Sequence, residues 1–156
     1  MPDSPVKYIE RTRAYYLAQG FPRPYTWATH ADIPFHPLKK PIAESRLGLI
    51  TTAIPADAAG QARRVHVRKF QSPPEQLCTD EVSWDRQTTH TDDLNSYFPV
   101  DHLNAFVGEG KIGSHTEHFY CAPTEFSHRR TNEIDAPAIL EALIEDQADI
   151  ALLVPL

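Results

Sequence analysis

Two polar stretches hold most of the side chains that could do chemistry. The first runs Trp84-Asp85-Arg86-Gln87-Thr88-Thr89-His90-Thr91-Asp92-Asp93-Leu94-Asn95. A carboxylate beside an imidazole orients the ring and raises its pKa toward working pH, which makes His90 with Asp85 and Asp92 a candidate acid–base cluster. Adjacent aspartates point different ways, so at most one of Asp92 and Asp93 would partner His90. Asp and Thr side chains in such a loop are equally suited to capping their own backbone. The second stretch carries His115-x-x-His118-x-x-Cys121, a spacing that could bring three ligands to one metal. Neutral imidazole and thiolate both suit zinc. The alternative is that His118 and Cys121 flank Phe119-Tyr120 on a short buried segment. Further along, Glu125, Arg129 and Arg130 could bind an anionic substrate, because guanidinium matches a carboxylate in bidentate fashion; surface ion pairing is the competing use.

These residues need a frame. Leu47-Gly48-Leu49-Ile50-Thr51-Thr52-Ala53-Ile54 is continuously apolar rather than alternating, so Arg46–Ile54 is expected as a central strand. Thr51 and Thr52 fall near its carboxyl end, where hydroxyls often touch ligands, although threonine is also a good strand residue. The closing run Asp149-Ile150-Ala151-Leu152-Leu153-Val154-Pro155-Leu156 reads as a strand buried on both faces. Asp135 looks like an N-cap for a helix over 136–147, with Pro137 in its first turn and Ile139, Leu140, Leu143 and Ile144 as its stripe. A helix followed by a buried strand builds a parallel sheet. The expected fold is therefore α/β, a three-layer Rossmann-like domain with a mostly parallel sheet.

Other segments fill in around this core. A first helix is expected over 6–19, stopped by Gly20 and Pro22. Residues 21–41 form an arm with five prolines and the aromatics Tyr25, Trp27 and Phe35, expected to wrap over the domain or a partner subunit. Arg64–Phe70 alternates, with Val65 and Val67 on one side and His66 facing solvent. Residues 81–85 suggest a short strand, and Pro99 opens a helix with Leu103, Phe106 and Val107 as its stripe, ended by Gly108 and Gly110. The chain is read as a single domain, 1–41 being the helix and arm and 42–156 the sheet core.

Composition bounds the function. The 156 residues suffice for one domain with a real core, and 41% hydrophobic against 23% charged residues is a globular balance. A net charge of −6 argues against a nucleic-acid partner, which would want a basic face. No apolar run is long enough for a membrane span, and Met1–Pro5 begins no secretory h-region, so the cytoplasm is the expected compartment. Two cysteines, Cys78 and Cys121, make neither a disulfide framework nor a CxxC redox centre. There is no GxGxxG, P-loop or HExxH.

Four stretches taken together resemble one family. They are Pro41–Thr52 (PIAESRLGLITT), Asp93–Leu103 (DLNSYFPVDHL), Gly110–Gly113 (GKIG) and Asp149–Pro155 (DIALLVP). Their order and spacing resemble the selenoprotein B family of glycine, sarcosine, betaine and D-proline reductases. The resemblance implies an oxidoreductase subunit in which a selenocysteine or cysteine follows the last strand at once, with a Cys-His pair, a helix and another strand beyond it. That selenolate or thiolate attacks the substrate, reductively cleaves a C–N bond and is restored by dithiol. It implies other reductase subunits and a small amine or amino-acid substrate as partners, and no cofactor in this chain, the selenocysteine lying beyond Leu156. The expectation is then of an N-terminal portion cut off at a selenocysteine codon, with its C-terminal part missing and inactive by itself. The polar loop at His90, with Thr51 and Thr52, would line the site. Association into a homo-oligomer is a further partner expectation. A non-catalytic binding or assembly subunit and a small metal-binding protein using His115, His118 and Cys121 are the rival expectations.

Overall fold

The computed structural model of the chain describes residues 7–23, 28–34, 36–59, 65–70, 77–79, 87, 88, 90–122 and 127–156. Its contacts divide into two units, Met1–Phe35 and His36–Leu156. In the first, α1 (Tyr8–Ala18) ends as its sequence demands: Gly20 takes φ +86° and the Phe21 N–H returns to the Tyr16 carbonyl at 3.1 Å. Phe21 also sets its ring edge-on to Tyr16, centroids 5.8 Å apart. None of the α1 residues is buried, and the apolar Ile9, Tyr16 and Leu17 lie open.

The second unit is organised on β1 (Arg46–Thr51), buried from Leu47 onward. On one side β1 pairs in parallel with β7 (Ile150–Val154), in the register Leu47↔Ile150 through Thr51↔Val154. On the other side lie β5 (Ser114–His115) and β6 (His118–Cys121), both parallel to β1. They behave as one strand interrupted by a two-residue bulge, since the register slips by two between Leu47↔His115 and Ile50↔Tyr120. Thr116 fills the bulge: its N–H donates to the Leu47 carbonyl at 2.9 Å and its hydroxyl to the His118 carbonyl at 2.6 Å. The sheet is completed by β3 (His66–Lys69), antiparallel to β6. A separate two-stranded ribbon joins β2 (Ile54–Pro55) to β4 (Leu77–Cys78). The fold is thus mixed α/β with a mostly parallel sheet.

Alternation along β1 and β6 divides the core between two sheet faces. Leu49, Phe119 and Cys121 pack with Tyr97, Phe98 and the buried Val100 and Leu103 of α2 (Val100–Gly108). Ile50 and Tyr120 turn the other way, toward Val65 and the Ile139 and Leu143 of α4 (Ala136–Glu145). Gly48 is the close-approach point on that face, because a Cβ there would run into Leu143 Cδ2 and lie 3.4 Å from the Tyr120 ring.

Several expectations are corrected. The helix before β7 is longer than its apolar stripe suggests. It starts at α3 (His128–Arg130), where the Ser127 hydroxyl caps the Arg130 N–H at 3.3 Å, and passes through a π turn at Thr131–Asp135 before α4. Asp135 is therefore a buried helical residue, not an N-cap. Pro137 supplies the reason: it has no N–H and its ring crowds the carbonyl four residues back, which the wider π turn accommodates. Strand β1 stops at Thr51, and the chain bends at 52–53 before entering β2. His66 is only 3% exposed, since the face opposite Val65 and Val67 is covered rather than wet. Finally, β7 is not buried on both faces. It pairs with β1 alone among the described residues, and Leu153 is 58% exposed. The expected strand at 81–85 lies outside the described residues.

Candidate functional site

Local chemistry explains where the expected site residues go. Thr51 is fully buried; its hydroxyl donates to the Tyr97 carbonyl at 2.9 Å and accepts from the Ala53 N–H at 3.3 Å, which consumes it in the core. Thr52 is half-buried and receives the Leu156 N–H at 2.8 Å, tying the end of the β7 segment to the carboxyl end of β1. His90 and Asp92 are both exposed, their nearest side-chain approach 3.4 Å, too long and too wet to set an imidazole firmly. Asp93 caps the turn at Leu94–Ser96, accepting the Asn95 N–H at 3.0 Å. Asp85 and Glu125 lie outside the described residues. Arg129 makes an exposed ion pair with Glu133 one turn on, at 2.8 Å.

The metal triplet is split by the sheet. His115 packs its ring against Phe70, centroids 4.4 Å apart, and Cys121 belongs to the same α2-side core. His118 turns to the α4 side. A spacing of three that shares a face on a helix alternates faces on a strand, and no group of metal-binding side chains forms among the described residues. The Cys121 thiol is pushed up to about 12 by burial, against the pull of Arg68.

What the fold does assemble is a constellation around Asp146. This carboxylate stands at the end of α4, where Asp146 is the C-cap. His118 Nδ1 lies 3.0 Å from both of its oxygens, and the His118 backbone N–H donates to Oδ2 at 3.2 Å. The Tyr120 hydroxyl donates to the same Oδ2 at 2.6 Å. Burial pushes Asp146 upward, but the hydrogen bonds from Tyr120 and His118 outweigh it and hold the carboxyl below its ordinary range. Tyr120 moves the opposite way, raised first by burial and then by its bond to Asp146. An acid at a helix C-terminus is disfavoured by the macrodipole, and at Asp146 the bonds from Tyr120 and His118 offset that cost.

The constellation opens into a groove of about 730 Å³ between β3 and the helix. Val65, Val67, Ala138 and Ala142 make its apolar wall, while Glu141, Glu145, Asp146 and His118 stand at one end. At the amino ends of the strands a second cluster holds β7 in register. Asp149 accepts from the Arg46 N–H at 2.7 Å and from Lys40 Nζ at 2.7 Å, and these bonds hold its carboxyl below the usual range. A smaller groove of about 420 Å³ lies beside it, along residues 36–40 and 148–151.

Comparisons with family models, with curated proteins and with solved structures give no match to this chain.

Proposed function

We propose that this chain is a reductase-family oxidoreductase subunit of the selenoprotein B type, built as a three-layer Rossmann-like domain. One observation carries the reading: the four resembling stretches, scattered in the sequence, are neighbours in space. Thr51 of the first bonds to Tyr97 of the second at 2.9 Å, Gly113 of the third donates to the Ile42 carbonyl at 3.1 Å, and the fourth pairs along the first from Leu47 to Thr51. Stretches that define a family by order and spacing are expected to share one structural unit. The geometry also suits the chemistry. Ligands in open α/β sheets collect outside the carboxyl ends of the strands, and Leu156 is held there by Thr52.

In this reading a selenocysteine or cysteine stands next in the chain after Leu156, on a support made of β1, β7 and Thr52. The selenolate or thiolate attacks the carbon of a small amine or amino acid and the C–N bond breaks as the amine departs; a dithiol then cleaves the new Se–C or S–C bond, the carbon leaves reduced and protonated, and the dithiol becomes a disulfide. The partners are other reductase subunits, the compartment is the cytoplasm, and neither nucleic acid nor membrane is involved. No helix among the described residues is long and apolar enough to cross a membrane. Its test is the coding sequence beyond Leu156. An in-frame UGA or cysteine codon, with codons for a Cys-His pair, a helix and a strand after it, is the expected result. The protein carrying that extension should release amine from glycine, sarcosine or betaine, or open D-proline, with consumption of dithiol. Another stop codon, or noncoding sequence, sinks the proposal.

A binding or assembly subunit is the second reading. It is favoured by β7, whose outer edge has no strand partner among the described residues and whose Leu152 and Leu153 are 37% and 58% exposed.

A further inference from the structure

We propose that the groove between β3 and α4 binds a small organic cation, an amine in its ammonium form carrying an apolar body, with the outer ring nitrogen of His118 as its hydrogen-bond acceptor. The volume of about 730 Å³ falls within the roughly 300–1,000 Å³ of small-molecule sites. Its make-up is of the same kind: an apolar wall from Val65, Val67, Ala138 and Ala142, and a few polar groups converging at one end.

The ring of His118 is set before any ligand arrives. An ionised carboxylate only accepts hydrogen bonds, so the contacts of Nδ1 to both Asp146 oxygens at 3.0 Å put the hydrogen on Nδ1. In the neutral ring that leaves Nε2 as the acceptor, and Nε2 makes no hydrogen bond among the described residues. Tyr120, on the same Oδ2 at 2.6 Å, keeps the carboxylate from swinging away.

The charge of the ligand follows from its neighbours. Glu141 and Glu145 line the groove one turn apart on α4, and neither has an ion pair or hydrogen bond among the described residues. Like charges at that spacing repel, and an ammonium group between them and His118 relieves the repulsion. An anion placed at Nε2 would face Glu141, Glu145 and Asp146 together. Arg130 lines the far end of the groove, about three helical turns before Glu141, and Asp135 lies between them. The site is separate from the one considered above: His118 begins β6, whereas Thr52 and Leu156 meet at the other end of the parallel strands. It stands or falls independently of the reductase reading.

The experiment is a titration of the 15N-labelled protein with n-butylammonium, and in parallel with butanol and butyrate, read on the His118 imidazole nitrogens by NMR. The expected result is a saturable shift at Nε2 with butylammonium and none with butyrate. Glu145→Gln, which removes a charge but none of the hydrogen bonds that hold His118 and Tyr120 to Asp146, should weaken that binding about tenfold, as expected for one charge-assisted contact. His118→Gln should abolish it. A butylammonium response that never saturates, an equal response to butyrate, or unchanged affinity in E145Q overturns the proposal.

Discussion

The imidazole of His118 and the carboxylate of Asp146 join the beginning of β6 to the end of α4, with Nδ1 3.0 Å from each carboxylate oxygen. Asp146 is largely buried there, its side chain 13% exposed, and it receives Tyr120 and a backbone N–H as well. Asp146→Asn should therefore destabilise the protein by about 2–3 kcal/mol near neutral pH, the range for hydrogen bonds to a buried charge. The pH dependence has a definite sign. The folded carboxyl is held below its ordinary value, so its contribution is full above about pH 4 and is lost as pH falls through the lower folded value. Urea midpoints of the wild type and D146N should differ at pH 6, and the difference should shrink as pH falls below about 4. A gap that persists in acid would mean that the charge is not the source.

Gly113 and Gly48 are both too crowded for a Cβ, but against different obstacles. At Gly113 it would lie 2.7 Å from the Glu44 carbonyl carbon and 2.9 Å from Ser45 N and O, which are backbone atoms. At Gly48 it meets the tip of Leu143, a side chain that can rotate. Gly113→Ala should cost at least about 2 kcal/mol, and more than Gly48→Ala, within the usual range for overpacking. Thermal denaturation of the two variants gives the order, and the reverse order would mean that the 42–45 turn yields more easily than the core.

The two thiols should differ in reactivity. Cys121 is fully buried and pushed up to about 12 by that burial, while Cys78 is half-buried. Thiolate is the reacting form, so a disulfide reagent at pH 8 should modify Cys78 in the folded protein and Cys121 only on unfolding. Two fast equivalents from the native protein would contradict the core position of Cys121.

Much of this frame is legible in the sequence because it rests on local pattern. The apolar run from Leu47 marks β1, and Ile139 with Leu143 marks the buried stripe of α4. What pattern cannot carry is who lies next to whom. An apolar run such as Ile150–Val154 has the same composition in an edge strand as in a central one, so the exposure of Leu153 depends on neighbours that its own residues do not encode. Alternation puts His66 opposite Val65 but does not say what covers it. The spacing of His115, His118 and Cys121 holds together on a helix and comes apart on a bulged strand. Asp146 meets His118 and Tyr120 across 28 and 26 residues, and nothing local announces that meeting.

The end of that helix is also where one substitution should add stability. Gln147 has φ +56°, in the left-handed region, and the chain closes around it: its N–H returns to the Ile144 carbonyl and the Ala148 N–H to the Leu143 carbonyl, at 3.0 and 2.9 Å. That is the double hydrogen bond of a helix C-terminus, normally built on glycine. A residue with a Cβ pays about 1–2 kcal/mol there, partly offset because glycine gives up about 0.5–1 kcal/mol more backbone entropy on folding. The Gln147 side chain returns little, since its only hydrogen bond among the described residues, from Arg46, is exposed and 3.4 Å long. Arg46 keeps its bond to the Asp146 carbonyl at 3.2 Å without it. Gln147→Gly should thus stabilise the fold by about 0.5 kcal/mol, the difference of those two effects. Gln147→Val, β-branched at positive φ, should destabilise it by more than about 1 kcal/mol. Paired urea denaturations decide it: opposite signs are expected, and a loss of stability in both variants would show that the glutamine side chain, not the left-handed backbone, governs this position.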